Sequence, residues 1–278
     1  MLERAGRMLR AAILGVIAGA VVGPVAASAA PTYYLALGDS LARGIGATSG
    51  QGYVDDVFAF EQQATPGLQL VNLSCSGETT ATMMNGGTCA YATGSQLGDA
   101  EAFLAAHPGQ VAFVSIDIGG NDVVPCLLTL SPDPTCVASA LPTTTANLAA
   151  ILAGLRAAGG PVPIVSLAYY DPVLAFWLLG GAGQTAARTS VKLVGVVNGA
   201  LKKEYRKQKV RVANTKKAFS TTKWALRGSY AGQTVPINVA QICAWTSMCS
   251  VNDIHPNDQG HATLAAVLEV EIAKSVGH

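Results

Sequence analysis

The sequence has few charged residues, and it lacks several patterns that would place it in a large functional class. Charged side chains make up 13% of its 278 residues and apolar ones 50%, a balance typical of an ordered, well-buried domain. It contains no C-x-x-C pair, which disfavours a zinc site, and no G-x-S-x-G pattern, which disfavours the α/β-hydrolase arrangement. No internal repeat or linker divides it.

The first 29 residues have the pattern of a secretory signal peptide. Three arginines within the first ten residues precede an apolar run over residues 11–22, and residues 27–29, Ala-Ser-Ala, form a small-residue cleavage site. No twin-arginine pair precedes the run, which favours the general secretory route. We expect cleavage after Ala29 and an extracellular mature chain. The other interpretation is an uncleaved membrane anchor, which is weakened by Gly15, Gly19, Gly23 and Pro24.

The mature chain, residues 30–278, is expected to be a single domain with almost no net charge. The leader holds three of the 18 Lys and Arg and one of the 17 Asp and Glu, which leaves 15 against 16. This total gives no electrostatic case for nucleic acid or for an anionic membrane. No later segment was expected to be apolar for long enough to cross a membrane. We therefore expect a monomer with no nucleic-acid partner, no stable membrane insertion after cleavage and no cofactor.

All six cysteines lie in the mature chain and come in sequence-local pairs. An even count in an exported protein predicts disulfides. The expected pairs are 75–89, 126–136 and 243–249, each closing a short loop and contributing roughly 2–3 kcal/mol.

Strand-like and helix-like segments alternate along the mature chain, which predicts an α/β fold with a parallel sheet covered by helices on both faces. The expected strands are Tyr33–Leu37, Leu68–Leu73, Val111–Ile118, Val162–Ala168 and Val210–Ala213. The expected helices are Tyr53–Gln63, Ala100–Ala106, Asn147–Ala158, Gln184–Gln208 and one that begins near Asn257. The basic end of the fourth helix (Lys202, Lys203, Arg206, Lys207) is interpreted as a solvated face.

Ser40 directly follows the end of the first predicted strand, in Gly38-Asp39-Ser40-Leu41. Ligands of open α/β sheets bind outside the carboxyl ends of the strands, so Ser40 is a candidate nucleophile. Ser40 is also a good helix N-cap, and the two roles are compatible.

A serine nucleophile needs a base, and the chain has only four histidines. His107 lies at a helix end and His278 is the last residue, which leaves His255 and His261. His255 lies in a turn-rich loop just before the last helix and is the candidate base, whereas His261 lies within that helix. A metal site built from these two histidines with Asp253 and Asp258 has no recognised ligand spacing.

Two further loops follow predicted strands at the same edge of the sheet. Gly77 follows the second strand, where a backbone N–H can approach a ligand closely. Asn121 follows the third strand and carries an amide donor. Each loop alone is an ordinary turn, but together with Ser40 and His255 they suggest one site.

These residues resemble the SGNH hydrolases, also called the GDSL esterases and lipases. Four blocks occur in the family's order: Gly38-Asp39-Ser40-Leu41, Gly77, Gly119-x-Asn121-Asp122 and His255-Pro256. The resemblance implies a flavodoxin-like three-layer α/β/α sandwich with five parallel strands. It implies Ser40 as nucleophile, His255 as base, and an oxyanion hole made by the N–H groups of Ser40 and Gly77 and the Asn121 amide. The cysteine pairs and the Tyr169-Tyr170-Asp171-Pro172 loop resemble the secreted actinobacterial lipase and esterase branch.

The sequence departs from the family pattern beside the histidine. The family usually has an aspartate three residues before it, and here that residue is Asn252. The group that orients His255 is therefore the Asp253 carboxylate, the Asn252 side-chain oxygen or a backbone carbonyl.

The expected function is hydrolysis of carboxylic esters through a Ser40 acyl-enzyme. The apolar run Val173–Leu179 either lines an acyl pocket, which favours lipid or medium-chain esters, or is a core helix. A carbohydrate O-deacetylase on the same fold and a catalytically silent secreted binding protein are the alternatives.

Overall fold

A five-stranded parallel sheet forms the centre of the computed structural model, which describes residues 32–277. The strand order is β2-β1-β3-β4-β5, which confirms the expected sheet. The predicted signal peptide lies outside the described residues. The strands are β1 (Thr32–Gly38), β2 (Leu68–Asn72), β3 (Val111–Asp117), β4 (Ile164–Leu167) and β5 (Arg211–Ala213).

Helices cover both faces of this sheet. They are α1 (Tyr53–Ala64), α2 (Thr80–Asn85), α3 (Gln96–Ala106), α4 (Val124–Leu127), α5 (Pro134–Gly159), α6 (Gly181–Lys207), α7 (Thr215–Ala218), α8 (Ile237–Trp245), α9 (Met248–Val251) and α10 (Asp258–Val276). A 3₁₀ helix spans Pro172–Leu179, and a small antiparallel hairpin pairs β6 (Arg227–Tyr230) with β7 (Gln233–Pro236).

Two apolar cores sandwich the sheet because side chains alternate along each strand. In β1, Tyr34 and Ala36 face the core formed with α1, α8 and α10, whereas Leu35 and Leu37 face the core formed with α3, α5 and α6. Both faces of β1 are thus fully buried, which explains its unbroken apolar sequence. The result is the predicted three-layer α/β/α sandwich.

The helix α5 corrects two predictions. It begins at Pro134, not Asn147, because the Asp133 carboxylate caps its first turn and proline fits the first helical position. Pro142 lies inside the helix and hid its continuity in the sequence. At 26 residues, α5 is also long and apolar enough to cross a membrane by length and composition. The expectation that no segment after the leader is apolar for long enough to do so is therefore wrong. In this fold Leu148, Ile151 and Leu152 are buried in the core.

The structure contains the three expected disulfides, Cys75–Cys89, Cys126–Cys136 and Cys243–Cys249. The first pair closes a loop between the end of β2 and the segment after α2. The second joins the segment after β3 to the start of α5, and the third joins α8 to α9. Each disulfide therefore restrains a connection between elements, and none of the three joins two strands of the sheet.

The strand order creates a crevice beside β1. Its neighbours β2 and β3 lie on opposite sides, so the chain leaves β1 and β3 toward different faces of the sheet. Such a switch point is where ligands bind in open α/β sheets, at the carboxyl ends of the strands. Ser40 follows β1 and Asn121 follows β3 at this edge.

Candidate active site

Ser40 lies in a tight turn immediately after β1. The Asp39 carboxylate accepts a hydrogen bond from the Leu41 N–H at 3.0 Å, and the Arg43 N–H donates to the Asp39 carbonyl at 3.1 Å. Asp39, not Ser40, therefore supplies the side-chain cap of this turn. The Ser40 hydroxyl is left for another partner.

That partner is His255, which comes from the loop before α10. The distance between Ser40 Oγ and His255 Nε2 is 2.8 Å. The loop is tied down by hydrogen bonds from the Ser247 N–H to the His255 carbonyl at 3.0 Å and from the Tyr170 hydroxyl to the Ile254 carbonyl at 2.6 Å. Two residues more than 200 positions apart thus meet within hydrogen-bonding distance, in a backbone held on both sides.

Asp253 lies behind the histidine ring. Its Oδ1 is 2.5 Å from His255 Nδ1 and also accepts the His255 backbone N–H at 3.0 Å. With Nδ1–H directed at this carboxylate, Nε2 carries the lone pair that accepts the Ser40 hydroxyl. Partial burial raises the pKa of Asp253, but the two hydrogen bonds from His255 outweigh it and the pKa lies below its usual value.

Within the described residues, Asn252 forms no hydrogen bond with the His255 ring. It ends α9 in the left-handed conformation, with φ 57° and ψ 40°, a conformation that asparagine tolerates better than most residues. The turn brings Asp253 to the side of the chain that His255 occupies. Of the three candidates for the orienting group, the structure therefore brings Asp253 against His255.

Asn121 and Gly77 lie on neighbouring loops. The Asn121 side-chain amide donates to the Glu78 carbonyl at 2.8 Å, and the Gly77 backbone has φ +83°, which favours glycine. Asp122 anchors the same two loops together, because its carboxylate accepts the Thr80 N–H at 2.9 Å and the Thr80 hydroxyl at 2.5 Å. Ser40 and Asn121 line the same cavity. Gly77 is not among the described residues that line it.

A buried carboxyl pair lies beneath the serine turn. Asp117 is the last residue of β3 and pairs with Gly38, the residue before Asp39, and both carboxyl groups are almost fully buried. Burial raises the pKa of both groups, and the charge of Asp39 raises that of Asp117 further, although the Tyr53 hydroxyl donates to it at 2.5 Å. The Asp39 carboxylate accepts the Leu41 N–H at 3.0 Å and the Tyr169 hydroxyl at 3.1 Å.

Gln96 is a supporting residue that the sequence did not reveal. It is fully buried, and its amide accepts the Gly38 N–H at 2.7 Å and donates to the Gly38 carbonyl at 3.0 Å. It thus fixes the backbone one residue before Asp39. A lone glutamine in a helix has no motif around it, so no local signal could have identified this role.

The cavity beside Ser40 and His255 is lined mainly by aliphatic side chains. It encloses about 70 Å³. The 3₁₀ helix contributes Pro172 and Val173 to its wall, while Leu174 and Ala175 of the same helix are buried in a core. Within the run Val173–Leu179, Val173 thus lines the cavity and Leu174 and Ala175 belong to a core; that the cavity receives an acyl chain stays a prediction. The aliphatic lining residues are Leu41, Val123, Val124, Leu127, Leu128, Pro172, Val173, Val194, Val197 and Ile254.

The alternative metal ligands are engaged elsewhere. Asp258 accepts the Thr48 N–H and hydroxyl at 2.6 and 2.8 Å, and His261 contacts the Tyr53 N–H and the Ile45 carbonyl at 3.2 and 3.0 Å. Within residues 32–277, no group of three or more His, Cys, Asp or Glu side chains is arranged to hold a metal ion.

Comparison with protein-family models decides the family. The model described as "GDSL-like Lipase/Acylhydrolase family" matches residues 36–263, which include all four motif blocks. The chain belongs to this family. The residues that this GDSL-like hydrolase aligns with the family model include Ser40, Gly77, Asn121 and His255.

Solved structures of other proteins have the same fold as this GDSL-like hydrolase. A lipase from a goat rumen metagenome has 18% identity and a TM-score of 0.59, with 86% of this chain and 97% of that one covered. An extracellular lipase from Streptomyces rimosus has 21% identity and a TM-score of 0.57, covering 86% and 99%. A phospholipase A1 from Streptomyces albidoflavus has 20% identity and a TM-score of 0.54, covering 87% and 100%. A search of curated protein sequences finds no significant match.

Proposed function

We propose that this protein is a secreted serine carboxylesterase or lipase that acts through a Ser40 acyl-enzyme. The observation that carries the proposal is the continuous chain of contacts from Ser40 Oγ to His255 Nε2 at 2.8 Å and from His255 Nδ1 to Asp253 at 2.5 Å. A serine, its base and a carboxylate that orients the base are the parts that nucleophilic acyl transfer needs.

In the acylation step, Ser40 Oγ attacks the ester carbonyl carbon while its proton passes to His255 Nε2. Asp253 stabilises the imidazolium that forms. The negative charge on the former carbonyl oxygen is met by N–H donors from Ser40, Gly77 and Asn121. Collapse of this intermediate breaks the ester C–O bond, and His255 gives its proton to the departing alcohol. Water, activated by His255, then releases the acid and regenerates Ser40.

The cavity supports an acyl group as the part of the substrate that is recognised. Its wall is aliphatic, and its enclosed volume of about 70 Å³ is below the roughly 300–1,000 Å³ of most ligand pockets. Short and medium acyl chains are therefore the proposed substrates, and the end of a longer chain must extend beyond the cavity. A small cavity also favours an acetyl group, so O-deacetylation of a carbohydrate is the second candidate.

We also propose that residues 1–29 are removed on export and that residues 30–278 act outside the cell as one domain. Three disulfides support an oxidising compartment. Sequencing the N-terminus of protein collected from the culture medium tests this. A mature chain that starts at Ala30 is the expected result, and protein retained in the membrane with Met1 or residue 2 at its N-terminus contradicts it.

A fluorophosphonate probe tests the nucleophile. The folded protein should form one adduct, located on Ser40 by peptide mapping, and Ser40→Ala should form none. Absence of an adduct on the folded protein would favour the silent binding protein. A series of nitrophenyl acetate, butyrate, octanoate and palmitate then separates the candidates: butyrate and octanoate should give the highest kcat/KM, whereas a sharp preference for acetate favours the deacetylase.

A further inference from the structure

The near-zero net charge conceals a strong separation of charge along the chain. Residues 172–252 contain 12 Lys and Arg and one acidic residue, Glu204, whereas the remainder of the mature chain contains three Lys and Arg and 15 Asp and Glu. The basic segment includes the 3₁₀ helix, α6, α7, the β6–β7 hairpin and α8. An attraction for anionic surfaces therefore depends on what this segment exposes, and not on the total charge.

This segment exposes a group of large apolar side chains, here called the apolar patch: Trp177, Leu178, Leu179, Trp224 and Leu226. The exposed fractions of Leu178, Leu179 and Leu226 are 36%, 63% and 58%. The two indole rings lie 5.3 Å apart and are half-buried, so they join the end of the 3₁₀ helix to the segment before the hairpin. Exposed leucines on both segments that this indole pair joins are typical of an interaction surface.

Cationic side chains border the apolar patch. The Arg188 guanidinium lies 4.6 Å from the centre of the Trp224 ring and 5.1 Å from that of Trp177, within the range of cation–π contacts. Lys223 and Arg227 flank Trp224 and Leu226 in sequence and are exposed. Among the described residues, none of these three cations forms an ion pair, so their charge is directed to solvent.

The apolar patch adjoins the candidate active site. The 3₁₀ helix that carries Trp177, Leu178 and Leu179 also contributes Pro172 and Val173 to the cavity wall. Lys216 and Lys217 are exposed on α7, directly after the carboxyl end of β5. Apolar and cationic groups therefore lie at the edge of the sheet from which the cavity opens.

We propose that the apolar patch and its cationic border dock the protein peripherally on an anionic phospholipid surface. Tryptophan and leucine side chains insert at the boundary between headgroups and acyl chains, while Lys and Arg are attracted to anionic headgroups. The combination distinguishes lipid from other polyanions, because nucleic acid or an acidic polysaccharide would use the cations and leave Leu179 and Leu226 in water. Docking does not depend on the proposed ester hydrolysis.

Vesicle co-sedimentation tests the proposal with Ser40→Ala protein expressed from Ala30, which spares the lipid and lacks the apolar leader. The described residues 32–277 contain both apolar cores, so protein that starts at Ala30 retains them. Vesicles of phosphatidylcholine with phosphatidylglycerol should bind at least about tenfold more tightly than phosphatidylcholine alone, and about 0.5 M salt should weaken the binding. Tryptophan emission should shift to the blue on binding.

Two double variants and two matched controls locate the surface. Leu179→Gln/Leu226→Gln and Lys223→Glu/Arg227→Glu should each weaken vesicle binding by at least about tenfold. Phe60→Gln, at a side chain 52% exposed on α1, and Lys203→Glu/Arg206→Glu, at the far end of α6, should change it by less than about twofold. In a Ser40 background, all four should keep the kcat/KM of the parent on a soluble nitrophenyl ester, which separates docking from catalysis.

Three outcomes would overturn the proposal. The first is wild-type binding to neutral vesicles that equals binding to anionic ones. The second is equal weakening by the controls. The third is capture by heparin or duplex DNA that the charge variant abolishes and the leucine variant leaves intact, with no binding to vesicles, which would assign the cations to a polyanion.

Discussion

Asp253 reaches the histidine ring from only two residues away because one carboxylate oxygen serves two donors. Oδ1 accepts the His255 backbone N–H and lies against Nδ1 of the same residue. Aspartate commonly bonds the backbone N–H two residues ahead of it. Here that local turn also aligns the carboxylate with the imidazole ring. The side chain of Asp253 is 43% exposed, so the carboxylate keeps contact with solvent while it orients the ring.

Replacing Asp253 therefore tests which group orients His255. Asp253→Asn should lower kcat by about a hundredfold or more, because an amide does not stabilise the imidazolium and allows the wrong tautomer. Asn252→Gly is the matched control, since glycine accepts the left-handed conformation that Asn252 adopts, and its kcat should stay within about threefold of the parent. Steady-state kinetics on a nitrophenyl ester measures both, and equal losses in the two variants would contradict the assignment.

Asp171 gives a prediction for stability against pH. Burial raises its pKa to about 7, despite hydrogen bonds from the Ser190 hydroxyl and the Val173 N–H. In the unfolded chain the pKa of this carboxyl group is near its ordinary value of 3.8. The folded protein thus binds the extra proton between these two pH values, and the contribution of Asp171 to stability falls as pH rises through that window.

Asp171→Asn should remove this dependence. The amide can still accept the Val173 N–H, and the Ser190 hydroxyl also donates to the Ala187 carbonyl at 3.0 Å, so the local bonds survive. The stability of the variant relative to the parent should increase from pH 4 to about pH 7 and then level off. Urea unfolding at several pH values measures this difference, and a difference that stays constant with pH would contradict the assigned titration.

At the scale of elements, two loops from opposite ends of the chain meet at His255. Gly46 lies in the loop after Ser40 with φ +93°, and a Cβ added there would lie 2.3 Å from the Pro256 carbonyl oxygen and 2.9 Å from His255 Cβ. Only glycine lets the two loops approach this closely. Gly50, in the same loop, has φ +79° and no neighbouring atom within 4 Å of such a Cβ.

This pair of glycines separates backbone strain from displacement of the histidine. Gly50→Ala should cost about 1 kcal/mol of stability, through the left-handed backbone alone, and leave kcat/KM unchanged. Gly46→Ala should carry that cost and also push the His255 loop away, which lowers kcat/KM by at least about tenfold. Equal kinetic effects in the two variants would mean that the loop contact does not position His255.

The elements differ in how well the sequence predicted them. All five strands of the sheet were expected within a few residues. The central strands β1, β3 and β4 are largely buried and largely apolar, whereas the edge strands β2 and β5 are partly exposed. The prediction for α5 was too short because Pro142 lies within the helix. The β6–β7 hairpin was not expected because its strands, such as Arg227–Tyr230, are polar and partly exposed. The oxygen that contacts His255 could not be chosen from sequence either, since it depends on the backbone turn at Asn252.

At the scale of the whole molecule, the disulfides lie near the candidate site, and two of them also contribute Cys126 and Cys243 to the apolar cores. Cys75–Cys89 lies beside Gly77, Cys126–Cys136 adjoins the cavity wall at Leu127, and Cys243–Cys249 precedes the His255 loop. The sheet itself depends on its two apolar cores. Stability and activity should therefore respond differently to the loss of each disulfide.

Replacing both cysteines of one pair by alanine tests this separation. The cost in stability should follow loop length, from about 2 kcal/mol for Cys243–Cys249 to about 3 kcal/mol for Cys75–Cys89. Activity should follow a different order. The largest fall in kcat is expected for the Cys243–Cys249 pair, because it precedes the His255 loop, although its six-residue separation is the shortest of the three. Urea unfolding and ester kinetics on the three variants measure the two orders. Identical orders would mean that activity only reports stability.

The distribution of the charges also belongs to this scale. The net charge, from 15 basic and 16 acidic residues in the mature chain, is an average over the whole surface. A partner contacts only part of that surface, so the local charge of that part determines the attraction. Counting charge by segment, not over the whole chain, would have revealed the basic segment 172–252 from sequence alone.

The placement of the disulfides has a consequence for when the protein becomes active. Disulfides do not persist in the reducing interior of most cells, and the three here lie on the connections that follow Gly77, follow Asn121 and precede His255. A chain still inside the cell that made it would lack those restraints at the site where the chemistry is proposed. With the export that we propose, the disulfides would form only outside the cell, and the esters of the cell that made the protein would be spared until then.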